Sequence, residues 1–98
     1  MSYDIGKKLI KSKNFTKAII IFQKILKNDP NDLRANFQMG KIFYELNDLK
    51  KSIFFFKKCD LIQPYTPNVL FNLALALQNT GDVENAKNNY LSLISKNP

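Results

Sequence analysis

Residues 31–64 read NDLRANFQMGKIFYELNDLKKSIFFFKKCDLIQP, and this stretch is one complete unit of a repeat that runs through the chain. It ends at Pro64, and two further prolines stand 34 residues away on either side, at Pro30 and Pro98. Other classes of residue keep the same spacing: Gly6, Gly40 and Ala74; Ala18, Ser52 and Ala86; Leu9, Phe43 and Leu77; Phe22, Phe56 and Tyr90; Phe15, Leu49 and Val83. A period of this length indicates stacked supersecondary units, each too small to bury its own apolar face.

The turn signals within each unit predict two helices. Asn14, Asp48 and Asp82 are good N-cap residues, and an apolar residue follows each of them directly. The unit boundaries carry signals that stop one helix and cap the next, at Asp29–Asp32 and at Thr66–Pro67. Pro67 is predicted at the first helical position, where its missing N–H costs nothing. The predicted helices cover residues 2–12, 16–28, 32–46, 49–62, 67–80 and 83–96.

Small residues predict where the two helices of a unit meet. Gly40 lies in the middle of a helix, where glycine costs about 1 kcal/mol relative to alanine, and a close approach of the partner helix explains its presence. Ser52 is small at the matching site on the second helix. Cys59 shares its repeat position with Ile25 and Leu93, which predicts a buried apolar side chain.

Composition limits the classes of function. The chain has 98 residues, of which 45% are hydrophobic, and this predicts one folded domain with a modest core. No apolar run approaches the roughly 18–20 residues of a membrane span, and no secretory signal is recognisable. The single cysteine cannot form an internal disulfide, which favours a cytoplasmic location.

The polar residues do not form a catalytic pattern. Histidine is absent, and with it the usual general base and the commonest metal ligand. Several of the acids, such as Asp48 and Asp82, stand at predicted turns, and no glycine-rich phosphate loop accompanies the others. We therefore predict no enzymatic activity, no catalytic residues, no metal site and no cofactor.

The net charge of +7 belongs to the first two units. Residues 1–32 carry +4, residues 33–66 carry +3, and residues 67–98 are neutral. Two interpretations remain open, namely general solubility and an acidic partner. Nucleic acid is not an expected partner, because the chain has a single arginine and no recognised nucleic-acid motif.

This pattern resembles the tetratricopeptide repeat across essentially the whole chain. The residues that carry the resemblance are Ile5, Gly6, Leu9, Ala18, Phe22 and Pro30 in the first unit, Met39, Gly40, Phe43, Ser52, Phe56, Cys59 and Pro64 in the second, and Leu70, Leu73, Ala74, Leu77, Ala86, Tyr90, Leu93 and Pro98 in the third. The chain departs from the family at Ser2 and Asn36, where a bulky apolar residue is usual, and at Ile25 and Leu93, where alanine is usual. The resemblance implies an all-α fold, a right-handed superhelical stack of three helix-turn-helix hairpins with repeats at about 1–32, 33–66 and 67–98.

The resemblance also implies a concave groove lined by the first helix of each hairpin. Helical spacing places these residues on that face: Tyr3, Lys7, Ile10 and Lys11; Arg34, Phe37, Gln38, Lys41 and Tyr44; Asn68, Phe71, Asn72, Leu75 and Gln78. Aromatic residues recur 34 positions apart, and lysine follows one turn later in the first two units. This arrangement suits a peptide with apolar anchors and acidic neighbours. The alternative is that the aromatic rings simply pack against adjacent repeats.

Family members that bind chaperone tails clamp a C-terminal carboxylate with lysine, asparagine and arginine. The matching positions here are Tyr3, Lys7, Gln38, Asn68 and Asn72, so that clamp is missing. A second surface lies on the predicted convex back, where Ile20 and Phe54 are apolar beside repeated lysines. Neighbouring exposed apolar residues suggest a second contact surface, and the alternative explanation is that helix edges and the tolerance of the core account for them.

Two functions follow from the resemblance. The first is a non-catalytic scaffold that binds a peptide or protein segment in the groove. The alternative is an N-terminal appendage of a larger enzyme such as a glycosyltransferase, for substrate docking or oligomerisation. The sequence stops at a repeat boundary, so we expect a fragment of a longer protein or self-association through Leu91, Leu93 and Ile94 on the last helix.

Overall fold

The computed structural model describes residues 2–96, and Met1, Asn97 and Pro98 lie outside the described residues. The third proline of the repeat therefore has no described position. Six helices fill the described part: α1 Ser2–Lys11, α2 Phe15–Asn28, α3 Leu33–Glu45, α4 Leu49–Ile62, α5 Pro67–Asn79 and α6 Val83–Lys96. The predicted helices are confirmed, and their ends differ from the observed ends by one residue at most.

Consecutive helices pair into three hairpins, and the hairpins stack in chain order. The second helix of each hairpin packs on the first helix of the next, α2 on α3 and α4 on α5. The first helices of the hairpins, which we call the inner helices, also contact one another, α1 with α3 and α3 with α5. Residues 2–96 contain no strand, and their extents are 36 × 24 × 20 Å. The all-α solenoid is thereby confirmed. None of the helices described is long and apolar enough to cross a bilayer.

Side-chain caps begin four of the helices. Asn14, Asp48 and Asp82 accept hydrogen bonds from backbone N–H groups three residues later, at 3.4, 3.3 and 3.3 Å, and Asp32 accepts one from Ala35 at 2.9 Å. Each such cap is worth about 1 kcal/mol. The Asn85 side-chain and backbone N–H groups lower the pKa of Asp82.

Helix α5 begins differently from the expectation. Thr66 occupies the N-cap position, but its side chain makes no cap hydrogen bond. Its hydroxyl donates instead to the carbonyl of Gln63 at 3.0 Å. Pro67 stands at the first helical position as predicted, and since it has no N–H, one donor fewer needs a partner there.

Glycine allows the hairpins to close on aromatic rings. An added Cβ at Gly6 would lie 2.5 Å from the ring of Phe22, and one at Gly40 would lie 2.6 Å from the ring of Phe56. Both rings are fully buried. Ser52 strengthens the second closure, because its hydroxyl donates to the carbonyl of Gly40 at 2.8 Å. The predicted close contacts of the glycines are confirmed.

The buried side chain of Asn36 holds the boundary between the first two repeats. Asn36 is fully buried where the family usually has an apolar residue, and its Nδ2 donates to the carbonyls of Pro30 and Asp32 at 3.0 and 2.9 Å. It therefore ties the turn between α2 and α3 to the helix that follows.

Cys59 is fully buried as predicted, and burial raises the pKa of its thiol to about 11.

Candidate peptide-binding groove

Two neighbouring cavities open on the side of the stack formed by the inner helices. The larger, which we call the lysine recess, has a volume of about 600 Å³ and is lined by Asp4, Lys7, Lys8, Ile10, Lys11, Gln38 and Lys41. The smaller, which we call the apolar slot, has a volume of about 160 Å³ and is lined by Tyr3, Leu33, Arg34, Phe37, Thr66, Asn68 and Val69. Both cavities draw walls from α1 and α3, and the slot also uses the beginning of α5.

Tyr3 connects the two cavities. Its hydroxyl accepts a hydrogen bond from Nε2 of Gln38 at 3.2 Å, so a residue of the slot is bound to a residue of the recess. The ring meets Phe22 edge-on with centroids 5.9 Å apart, and the guanidinium carbon of Arg34 lies 4.2 Å from its centroid. These contacts fix the ring between its own hairpin and the next one.

Lysine ammonium groups lie above the aromatic rings of the first two units. Nζ of Lys7 is 6.0 Å from the ring centroid of Tyr3, and Nζ of Lys41 is 5.6 Å from that of Phe37. Exposed cation–π contacts of this kind contribute about 0.5–1 kcal/mol. The predicted pairing of an aromatic residue with a lysine one turn later is therefore present in the structure.

The recess is strongly cationic. Four lysines and the single carboxylate of Asp4 line it. In the part of the chain that the structure describes, the one ion pair within 4.0 Å joins Lys51 to Asp48, which lie outside the recess. The recess lysines therefore have no carboxylate partner at that distance among residues 2–96, and their charge is available to a ligand.

Of the predicted groove residues of the third unit, Asn68 lines the apolar slot, and the other four line neither cavity. Phe71 is 49% exposed and meets the ring of Tyr90 at 6.3 Å, and Leu75 is half-buried. Gln78 accepts a hydrogen bond from the hydroxyl of Tyr90 at 3.2 Å. Asn72 donates to the carbonyl of Asn68 at 2.7 Å.

The second inner helix also contributes a residue outside both cavities. The hydroxyl of Tyr44 accepts a hydrogen bond from Nδ2 of Asn79 at 2.5 Å, which joins the ends of α3 and α5. The structure thus brings Tyr3, Lys7, Lys11, Arg34, Phe37, Gln38 and Lys41 together, and leaves Tyr44, Phe71, Asn72, Leu75 and Gln78 apart from them. Sequence reasoning did not find Leu33, Thr66 and Val69 in the slot, because they lie at helix ends or face the neighbouring hairpin.

The aromatic rings have a packing role as well as an exposed edge. Each of Tyr3, Phe37 and Phe71 contacts the aromatic residue on the second helix of its own hairpin, with centroids 5.9, 5.7 and 6.3 Å apart. The alternative interpretation placed their packing on adjacent repeats. The structure places these ring–ring contacts within single hairpins, and the Tyr3 ring also contacts Arg34 and bonds Gln38, so packing against the adjacent repeat is present as well.

The convex back exposes apolar side chains, as the sequence indicated. Ile20 is 47% exposed and Phe54 is 61% exposed. Leu61, which sequence reasoning missed, is 83% exposed on the same helix as Phe54. The sequence does contain a signal for this exposure, because Leu61 is apolar where the equivalent positions of the other units, Lys27 and Ser95, are polar. No cluster of three His, Cys, Asp or Glu residues that could hold a metal ion occurs within residues 2–96.

Comparisons with known proteins agree with this geometry. Family models described as tetratricopeptide repeat match residues 3–32, 33–66 and 68–98. No curated protein matches the chain.

Several solved structures share the fold. A MamA RS-1 double mutant is 21% identical with a TM-score of 0.90, over 96% of this chain and 53% of that chain. The second TPR domain of Spaghetti (RPAP3), bound to the HSP90 peptide SRMEEVD, is 12% identical with a TM-score of 0.89, over 95% of this chain and 86% of that one. The Yersinia enterocolitica type III secretion translocator chaperone SycD, in an alternative dimer, is 20% identical with a TM-score of 0.87, over 99% and 76%. The chain spans about half the length of the MamA structures it matches.

Proposed function

Because the chain belongs to the tetratricopeptide repeat family, we propose that it is a non-catalytic protein–protein interaction scaffold whose concave groove binds an acidic peptide or protein segment. The lysine recess carries this proposal, since four lysines surround a cavity large enough for several side chains of a ligand. The RPAP3 domain bound to a peptide is a precedent for peptide binding on this fold. We further propose a cytoplasmic location, in keeping with the single, buried, unpaired cysteine.

The electrostatic argument depends on several weak contacts acting together. An exposed ion pair contributes about 0.2–1 kcal/mol, so one lysine alone would select little. Lys7, Lys11 and Lys41 line one cavity and can face neighbouring carboxylates of the same ligand. Charge of this kind raises the association rate and orients the partner, and it weakens with salt. We therefore expect affinity to fall as ionic strength rises.

The proposed ligand offers acidic side chains rather than a clamped chain terminus. Two of the positions that correspond to the carboxylate clamp, Tyr3 and Gln38, are hydrogen-bonded to each other. Asn72, at a third position, donates to the carbonyl of Asn68 within its own helix. These contacts leave the recess lysines as the main groups for an anion.

A charge-reversal experiment with a matched control tests the groove. We expect the Lys7→Glu/Lys41→Glu variant to bind a fluorescein-labelled, glutamate-rich peptide at least about tenfold more weakly than wild type in 50 mM salt, which is about 1.4 kcal/mol. The control Lys24→Glu/Lys57→Glu makes the same change of charge at two exposed lysines on α2 and α4 and should bind nearly as wild type. Equal weakening of both variants would assign the effect to net charge. Weakening of the control alone would move the site to the convex back.

A second role, self-association, is favoured by the exposed face of α6. Helix α2 packs on both α1 and α3, and α4 on both α3 and α5, whereas α6 packs on α5 alone among the helices within residues 2–96. Leu91 and Ile94 on this helix are 51% and 69% exposed, and Leu91 lines an open cavity of about 340 Å³. We propose that this face binds a second copy of the chain.

Sedimentation over a roughly hundredfold range of concentration should show dimers that Ile94→Asp abolishes, while Phe54→Asp on the convex back leaves them intact. A wild-type chain that is monomeric throughout would refute this role.

A further inference from the structure

The apolar slot beside the lysine recess bears on which sequences the groove selects. Resting on the proposed function, we propose that the partner is an extended segment with one aliphatic or aromatic anchor in the apolar slot and acidic side chains two and four positions from that anchor in the lysine recess. The juxtaposition of the slot and the recess, joined through Tyr3 and Gln38, carries this inference.

The slot fits one side chain. Its volume is about 160 Å³, and Tyr3, Leu33, Phe37 and Val69 supply apolar walls. An apolar cavity of roughly 150 Å³ is large enough to hold benzene. One leucine, methionine or phenylalanine side chain therefore fills it and packs against these walls.

The slot has fixed walls. Val69 is 2% exposed, so its position is set by the packing of α5. Gln38 is 8% exposed, and its hydrogen bond to the Tyr3 hydroxyl holds the ring that separates the slot from the recess. Phe37 is held against the buried ring of Phe56, with centroids 5.7 Å apart. A preformed pocket of this kind loses little side-chain entropy when the anchor enters.

Helix geometry sets the spacing between the anchor and the acids. Lys7 follows Tyr3 by four residues, and Lys41 follows Phe37 by four, so each lysine Cα lies about 6 Å further along its helix. Lys11 lies about 12 Å from Tyr3 along the same axis. Residues spaced by four share a face of the helix, and all three lysines line the recess.

An extended peptide matches these distances. It advances about 3.3 Å per residue, and its side chains alternate between two faces. Side chains two and four positions from an anchor therefore lie on the anchor's own face, at about 6.6 and 13 Å. Acids one and three positions away would point to the opposite face. The groove should thus distinguish peptides of identical composition by register alone.

Peptides of equal composition test this register. The matched probes are Leu-Ser-Glu-Ser-Glu and its reversed order Glu-Ser-Glu-Ser-Leu, each within a Gly-Ser frame and labelled with fluorescein. The register control is Leu-Glu-Ser-Glu-Ser, and the anchor control replaces leucine by serine. We expect the better of the two probes to bind the full chain about tenfold more tightly than either control, a difference typical of a well-buried anchor.

Variants of the chain localise the anchor. Phe37→Ala removes one wall of the slot and should abolish the preference for leucine over serine, while Phe71→Ala, at the same repeat position but outside the slot, should keep it. Circular dichroism melts establish that both variants are folded, and the peptide comparison on the wild-type chain stands without them. Equal affinity for all acidic probes, lost in Lys7→Glu/Lys41→Glu, would overturn this inference and leave the proposed function intact. Absence of binding by every probe would overturn both.

Discussion

The junction between α1 and α3 and the junction between α3 and α5 share their architecture but differ in chemistry. The same repeat position holds Lys7 in the first unit, Lys41 in the second and Leu75 in the third. The first junction therefore contains a cationic recess, while the described groove residues of the last inner helix are amides, leucine and phenylalanine. Groove positions therefore differ in charge between units whose hairpins stack in the same order.

The hairpins also differ at their closures, the sites where a small residue of the first helix packs against an aromatic ring of the second. Gly6 and Gly40 face fully buried phenylalanine rings in the first two hairpins. The third hairpin has Ala74 with a half-exposed tyrosine, Tyr90, at the equivalent ring position. The first two closures are therefore tighter than the third, and substitutions should reveal the difference.

The largest expected effect is overpacking of a glycine closure. Gly40→Leu places a side chain where even a Cβ would be 2.6 Å from the Phe56 ring, and we expect a loss of about 2–3 kcal/mol in the free energy of unfolding. Ala74→Leu should cost less, because the position already holds a Cβ and Tyr90 can move towards solvent. Urea unfolding of the two variants measures both losses. Equal losses would contradict the difference between the closures.

The stack could be predicted from the sequence because its determinants are periodic. Prolines, small residues and N-caps recur at a fixed spacing, and each acts on its own segment of backbone, so helix ends followed within one residue. The row of lysines and aromatic residues in the first two units followed from helical spacing in the same way. Contacts between neighbouring hairpins could not be predicted from the spacing of residues along the chain. The bond between Tyr3 and Gln38 and the place of Val69 in the slot depend on how neighbouring hairpins sit on each other.

The conformations of Thr66 and Tyr65, in the turn before α5, could not be predicted from the sequence either. Thr66 had an obvious alternative to capping, since its hydroxyl could reach a carbonyl in the preceding turn, and it donates to Gln63. Tyr65, at φ 64°, adopts a left-handed conformation that its residue type does not predict. In this turn the Tyr65 N–H donates to Oδ1 of Asp60 at 3.2 Å, a contact with the preceding helix that residue type alone does not predict.

The turns inside the hairpins give a second, smaller difference between units. Lys13, Asn47 and Gly81 occupy one repeat position and have φ values of 62°, 61° and 86°. This region strains most side chains and suits glycine. We expect Lys13→Gly to raise the free energy of unfolding by about 0.5–1 kcal/mol and Gly81→Ala to lower it by a similar amount.

Thermal melts of the turn variants, at one pH and salt concentration, check these signs. The matched control is Lys8→Gly, which places glycine inside α1 at an exposed site and should destabilise the chain by about 1 kcal/mol. Stabilisation in the turn together with destabilisation in the helix would assign both effects to backbone conformation. A Lys13→Gly variant no more stable than wild type, or a Gly81→Ala variant no less stable, would contradict the assignment.

The smallest expected effect comes from giving the third unit the missing charge. Leu75→Lys continues the series of Lys7 and Lys41, and the methylene stem of lysine can keep much of the packing of this half-buried position. For a peptide with a second acidic pair, beyond the reach of the first junction, we expect about two- to fivefold tighter binding, the size of one exposed ion pair. The control Asn88→Lys adds the same charge to an exposed site on α6 and should not tighten binding. Fluorescence anisotropy at 50 mM and 500 mM salt separates the cases, since a contact in the groove should weaken at high salt. If Asn88→Lys tightens binding as much as Leu75→Lys, net charge alone controls affinity, and the difference between the two junctions has no part in recognition.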